Sequence, residues 1–509
     1  MARWTNLPTE IHMMILRIVV EDYRFESDRY ARAGYASVCR EWQSVFEQEN
    51  FRRIIVDQER IGYLEHLMLC IKLDEYDCTA CQSKEDDETI RKNNNVFFNS
   101  LWDLLFILSK WVGFVGTRRE DGLTLELGAY SPSDCKHKFR DFHLEENHPY
   151  REFNDIKSYV NAYKQRIDRL GLGTLNDPYH GWVNGHQECP SLGSKQRLMG
   201  TLTVNDNLPQ LSIYPYTFPN VEIVTGLLIR RQFYRKIAAK SLDKLLRETF
   251  TCLRWFNHEA WYDGDLPQQF HFEKDYERLL LHGIPSTLRE LYIFENFNKV
   301  LHPEHFKQLT NLEQYTKRAN PSLGKALSKS SRLLTMLSAA FVVDAVDFFA
   351  SFKPTNNLNS NVIPWENLQY LALTSQLLHP RKAGRHINGM LIAAGRAAAF
   401  MPTLRGMEIW NGGGGHACVF RYRNYDGKTY ISWECTWGPK FKLDPDVIDC
   451  WANVPRQGQY RHGHFTVTVN TKLLRHRDTK TYGSIVPLLK QRSWMQQFIS
   501  DFQMLSRKI

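Results

Sequence analysis

The 509-residue sequence contains no block of five or six Lys or Arg, although its net charge is +9. The basic residues are dispersed, which gives no support to a nucleic-acid partner. No long apolar run is free of charge. The most apolar window, LLTMLSAAFVVDAVDFFASF (333–352), carries Asp344 and Asp347, and a membrane span does not accept both. Residues 1–20 contain Glu10 and lack a small-residue cleavage site, so no secretory signal is expected. The ten cysteines have no framework spacing, which is the pattern of reduced thiols in the cytosol or nucleus. H-E-x-x-H, G-x-S-x-G and phosphate-loop patterns are missing, so the common hydrolase and nucleotide chemistries find no motif.

What is present is ordinary in bulk and unusual in aromatics. Hydrophobic residues make up 43% and charged residues 24%, as in a soluble globular protein. Aromatic content is 13%, with 13 Trp, enough for large cores or contact surfaces. The length suits roughly three domains or one long repeat array.

The segment LPTEIHMMILRIVVEDY (7–23) predicts an amphipathic helix. Pro8 suits the first helical position, and Glu10 sits where the helix dipole favours a carboxylate. Ile11, Met14, Ile15, Ile18 and Val19 make one apolar stripe, and Leu7 and Leu16 lie beyond it. In YASVCREWQSVF (35–46), Val38, Trp42, Val45 and Phe46 repeat at helical spacing. Two or three short helices in about 45 residues bury little surface, so this module is expected to complete its core against something else.

LPTEI and VCREW resemble the two halves of an F-box, the helical module that docks onto a Skp-family adaptor in cullin-based ubiquitin ligases. The resemblance covers about residues 4–50. It implies Leu7, Pro8, Ile11, Ile15, Leu16, Val38, Cys39 and Trp42 as adaptor-binding residues. The link EDYRFESDRYARAG (21–34) is longer and more charged than the family's usual one. The whole chain is similar to fungal F-box proteins with a long C-terminal region, in stretches such as LDEYDCTAC, YSPSDCKHKF and MPTLRGMEIWNGGGGHACVFRY.

Beyond residue 50 a small pattern recurs. After a short strand expected at FRRIIV (51–56), Leu64, Leu67 and Leu69 form L-x-x-L-x-L. Leu288, Leu291 and Ile293 repeat it, as do Leu368, Leu371 and Leu373, and Leu404, Met407 and Ile409. LRELYIFEN (288–296) fits the strand signature of leucine-rich repeats. Weaker candidates are TLELGAY (124–130), NVEIVTGLLI (220–229), FTCLRWF (250–256), NLEQY (311–315) and SRLLTML (331–337). Between them lie expected helices at 97–111, 234–250 and 387–400. KEDDE (84–88) and RKNNN (91–95) read as an exposed loop, and 131–200 as a long polar insertion. CVFRYR, KTYISWECTW and HGHFTVTVN alternate with period two, predicting antiparallel hairpins before a closing helix at 493–505.

The expected architecture is therefore mixed α/β. A helical F-box (1–50) precedes an irregular leucine-rich-repeat-like α/β solenoid with a β-rich cap. The solenoid starts at 51–130, is interrupted by the 131–200 insertion, continues over 201–416 and closes with the cap and helix at 417–509. A doubly wound α/β domain would give the same alternation of elements.

Little chemistry is expected. Cys78 and Cys81 form one C-x-x-C, half a zinc site, and no second pair completes it. Cys70, Cys135 and His137 could be recruited only in space. PYHGWVNGH (178–186) holds two histidines too far apart to argue for a metal. NGGGGHACVF (411–420) lacks the Lys and Ser or Thr of a phosphate loop, so it reads as a turn where the chain leaves the sheet. No catalytic residue, cofactor or metal is assigned.

The functional expectation is a cytoplasmic or nuclear substrate receptor. The adaptor, and through it a cullin, would bind the N-terminal helices. A target protein would lie on the concave sheet face or on the 131–200 insertion. Nucleic acid and membrane are not expected partners. The alternatives are a scaffold with a decayed F-box, and a hydrolase or transferase using Cys418, His416 or the 177–189 loop.

Overall fold

The computed structural model describes residues 64–111, 122–142, 168–204, 217–262, 266–297, 319–355, 362–413, 416–425, 428–437, 443–454 and 466–474, with isolated positions between 8 and 42 and at 165, 301 and 489. Expected elements at FRRIIV, NLEQY and 493–505 lie outside the described residues.

Eleven strands form one sheet. They are β1 His66–Lys72, β2 Leu123–Tyr130, β3 Val224–Ile229, β4 Trp255–Tyr262, β5 Glu290–Phe297, β6 Met336–Ala340, β7 Tyr370–Thr374, β8 Gly406–Gly413, β9 His416–Tyr425, β10 Lys428–Cys435 and β11 Thr466–Leu473. Across the sheet the strands follow one another in chain order. From β1 to β8 every pairing is parallel. β9 pairs antiparallel with both β8 and β10, and β11 is parallel to β10. HGHFTVTVN therefore does not close a hairpin. The helix Pro445–Ala452 carries the chain back so that β11 enters the sheet in the direction of β10. The first two glycines of the NGGGG stretch likewise stay in the sheet, since Gly412 and Gly413 pair with Ala417 and His416.

The register explains the leucine pattern. Leu67, Leu125, Leu227, Phe256, Leu291, Leu337, Leu371, Met407, Tyr422 and Ile431 stand in one row across neighbouring strands. The row two residues on runs Leu69, Leu127, Ile229, His258, Ile293, Ala339, Leu373, Ile409, Phe420 and Trp433. Alternate residues share a face, so these rows form one apolar surface. The first leucine of the pattern recurs as Leu253, Leu288, Leu334, Leu368 and Leu404. Each is buried, and each closes a tight turn by donating its N–H to the carbonyl three residues back.

The helices α1 Asp87–Ser109, α4 Ala239–Lys244, α5 Leu266–Arg278, α6 Pro321–Ser330, α7 Ala345–Phe348, α8 Gly384–Ala398 and α9 Pro445–Ala452 contribute to one apolar cluster with this face. A fully buried leucine there contributes on the order of 1.5–3 kcal/mol. The short helices α2 Pro132–Lys136 and α3 Leu192–Leu198 adjoin the other side. There Phe139, Phe142 and Leu198 cluster with Tyr234, Trp261, Phe294 and Trp410.

RKNNN (91–95) is helix, not loop. Asp86 caps α1 by accepting from the Thr89 N–H at 2.8 Å, and Asp87 and Glu88 follow in the first turn. Asn93 and Asn94 are buried but partnered. Asn93 Nδ2 donates to Glu85 at 2.8 Å, and Asn94 Oδ1 accepts from the Thr203 N–H at 2.9 Å. Window 333–352 is split into β6 and α7, and among the described residues no helix is long and apolar enough to cross a membrane.

Candidate functional site

Chemistry-bearing side chains gather past the carboxyl ends of β1, β2 and β3. Three segments leave the sheet there: 73–86, 131–142 and 230–238. In a parallel sheet this edge is where ligand sites form. Residues 168–204, nearly all of them in the expected insertion, pack on them through specific hydrogen bonds. Ser191 and Ser194 hydroxyls donate to the Gln82 and Cys81 carbonyls at 3.0 and 2.8 Å. Arg197 donates to the carbonyls of Ser83 and Lys84 at 2.9 and 3.0 Å. Gln82 Nε2 reaches the Tyr179 carbonyl at 2.9 Å, and Tyr179 OH returns to the Cys78 carbonyl at 3.1 Å.

Beneath this seam lies a buried charged group. Arg235 forks onto Glu85 at 2.8 and 3.0 Å. Tyr76 OH donates to Asp134 at 2.8 Å, and the Arg197 guanidinium lies 4.7 Å over the Tyr76 ring. Asp134 also closes a capping box with Ser131 at the start of α2. Burial pushes its carboxyl up to about 6, against the pull of Arg235.

At the outer end of the seam Cys78, His137 and His180 converge, with donor atoms all within 4.8 Å of one another. Cys78 Sγ lies 3.5 Å from His137 Nδ1, which lies 3.2 Å from His180 Nε2. His137 Nε2 donates to the Tyr76 carbonyl at 3.2 Å, and His180 Nδ1 donates to Asp177 Oδ2 at 2.7 Å. Arg140 Nη2 also reaches Asp177, at 2.5 Å. Burial holds the His137 imidazolium below its ordinary range. The hydrogen bond from His180 does most to hold the Asp177 carboxyl low. Cys81 is 1% exposed, and its thiol is pushed up by burial.

The sequence supplied these donors without their grouping. C-x-x-C drew attention to Cys78, and His137 was one possible recruit. The six-residue distance from His180 to His186 is no metal spacing, so nothing local in the sequence points to His180. Cys70 and Cys135 stay apart from the group. Burial pushes the Cys70 thiol in β1 up to about 12, and Cys135 Sγ donates to the Phe142 carbonyl at 3.3 Å.

The sheet face opposite the main helices is not an open surface for a target. Glu126, Asn257, Tyr292, Ser338, Ala372, Glu408 and Arg421 stand on it and are all buried. It carries ion pairs instead. His66 and Arg230 both meet Glu126, and Arg421 meets Glu408 and Glu434. Burial opposes ionisation of Glu126, but Arg230 and His66 together hold its carboxyl below the usual range. The insertion keeps apolar side chains in solvent: Leu170, Tyr179 and Leu192 are 46%, 57% and 65% exposed.

His416 and Cys418, the look-alike nucleophile pair, share a strand face as residues two apart must. Cys418 is fully buried, and burial, with Cys435 and Glu434 nearby, pushes its thiol well up. That is the reverse of an activated thiolate.

Of the expected adaptor residues, Leu7 and Cys39 lie outside the described residues. Pro8 and Ile11 are exposed, Ile15 is half-buried, and Leu16, expected as an anchor, is buried within the chain. Val38 is 59% exposed, and the half-buried Trp42 stacks on Tyr35 at 5.8 Å.

Residues 283–495 match the model of a family described as "Family of unknown function (DUF6546)". No curated protein matches the chain. The matched stretch spans β5 to β11 and stops short of both the Cys/His group and the N-terminal helix.

Proposed function

We propose that this chain is the substrate-recognition subunit of a cullin-type ubiquitin ligase, working in the cytoplasm or nucleus. Its N-terminal helices dock onto a Skp-family adaptor. The observation that carries the reading is an apolar helix face left in solvent. Ile11, Met14 and Ile18 are 38%, 58% and 56% exposed, on the segment whose sequence resembles an F-box. Leu16, off that face, is buried, and Val38 adds a further exposed apolar side chain. Such side chains carry interface energy once a partner covers them.

The rest of the chain is read as an irregular leucine-rich-repeat-like solenoid. Strand order without reversal supports this, because a doubly wound sheet reverses at a switch point. The target is held by the 168–204 segment, where Leu170, Tyr179 and Leu192 are exposed, since the sheet face is already buried. The chain itself performs no bond chemistry and supplies proximity.

Co-purification with a Skp-family adaptor tests the reading, comparing the full chain with one lacking residues 1–50. Binding by the full chain alone supports it. Ile11→Asp with Ile18→Asp is expected to abolish binding at an unchanged melting temperature. Failure of the intact chain to bind any such adaptor would refute it.

A further inference from the structure

We infer that Cys78, His137 and His180 bind one zinc ion that fastens the 168–204 segment to the loop following β1. The inference stands apart from the adaptor reading.

Hydrogen-bond direction is the first argument. The Tyr76 carbonyl can only accept, so His137 carries its proton on Nε2. The Asp177 carboxylate can only accept, so His180 carries its proton on Nδ1. Each neutral ring then turns a lone pair toward the other, 3.2 Å away, with the Cys78 sulfur beside them. Lone pairs at that distance repel unless a cation lies between them.

Distances are the second argument. Zinc bonds of about 2.0–2.1 Å to nitrogen and 2.3 Å to sulfur, in a tetrahedron, set donors about 3.3–3.6 Å apart. Two of the three observed separations are 3.2 and 3.5 Å, and the third, from Cys78 Sγ to the His180 ring, is within 4.8 Å. The third argument is the outer shell. A ligating histidine normally gives its other N–H to a carboxylate or a backbone carbonyl, and here one histidine does each. Thiolate with imidazole is a donor set that selects zinc over magnesium or calcium. Cys81, the other half of the C-x-x-C, lies outside this donor set in the structure; its thiol, after a side-chain shift, and water are the two candidates for the fourth donor.

The cluster joins chain segments far apart in sequence, so the metal closes long loops and adds stability to the folded state. A proton shared between the two imidazoles is the competing account of the short contact.

Cobalt separates the two. The full chain is stripped with EDTA and titrated with Co²⁺. The expected result is one equivalent bound, tetrahedral visible bands and a near-ultraviolet thiolate-to-cobalt band, all displaced by Zn²⁺. The intensity of that band counts one thiolate or two and so identifies the fourth donor. Cys78→Ser removes or halves the band. Asp177→Asn, which touches no metal, weakens binding 10- to 100-fold and keeps the site located if Cys78→Ser does not fold. A stripped, folded chain that develops no thiolate band overturns the inference in favour of the shared proton. So does an undiminished band in Cys78→Ser.

Discussion

Arg421 on β9 donates from Nε to Glu408 on β8 at 2.6 Å and from Nη1 to Glu434 on β10 at 2.7 Å. The Arg421 and Glu408 side chains are 6% and 1% exposed. Charges this deep cost several kcal/mol to dehydrate and persist only with partners. Arg421→Met removes the cation shared by two carboxylates and is expected to cost about 3–5 kcal/mol. Adding Glu408→Leu should restore most of that loss, because the buried carboxylate goes with its partner. Urea unfolding of the two variants checks this. A double variant no more stable than the single would mean the pair is not the source of the cost.

Two glycines on the same face seat aromatic rings of the next segment. A Cβ at Gly226 would lie 2.3 Å from the Trp255 ring, and one at Gly128 2.4 Å from the Phe233 ring. Gly226→Ala should therefore destabilise the chain by about 1–3 kcal/mol through overpacking. A Cβ added at Gly389, inside α8, would meet nothing within 4 Å beyond the backbone of its own helix and its chain neighbours. Gly389→Ala should stabilise by about 0.8–1 kcal/mol from helix propensity alone. The opposite signs are read from two thermal melts.

The sheet was legible because its signal is local and repeats. Leu67, Leu291, Leu371 and Met407, picked out by spacing, fall in one row of the register. His258 stands in the neighbouring row among Ile229 and Ile293, and no apolar pattern would place a histidine there. Helix α1 was half missed because Asn93 and Asn94 look like loop residues until Glu85 and Thr203 supply their partners. The Cys/His group was illegible for a different reason. Its members meet only because β1 and β2 pair in parallel, which brings the segments after them together.

Asp344, which argued against a membrane span, holds a junction. It caps α7 by accepting from the Val346 N–H at 2.9 Å. It also accepts from the Ser375 hydroxyl and the Gln376 N–H, each at 2.8 Å, just past β7. Asp344→Ala strands these donors and should cost at least about 2 kcal/mol. Asp344→Asn keeps an acceptor oxygen and should recover more than half. Equal losses for the two variants would show that charge, not acceptance, matters at this position.

His258 makes stability depend on pH. Its Nδ1 lies 3.0 Å from Tyr276 OH, and its ring stacks on Phe256 and Tyr276. Burial pushes it down to about 4, against Glu295, while Lys236 pushes the same way as burial. An unfolded histidine titrates near 6.5, so between about pH 6.5 and 4 the unfolded chain takes a proton that the fold refuses. His258 therefore favours the fold fully above that window and loses up to about 3 kcal/mol as pH falls through it. Asp134 works in the opposite sense. Its carboxyl stays protonated in the fold up to about pH 6, which favours the fold as the medium acidifies. The wild-type curve alone thus understates His258, and a difference measurement isolates it. His258→Leu suits a row of Ile and Leu and removes the titration. From pH 7 to 4.5 its melting temperature should fall less than that of the wild type. Parallel curves would mean that His258 is protonated inside the fold and that its row tolerates the charge.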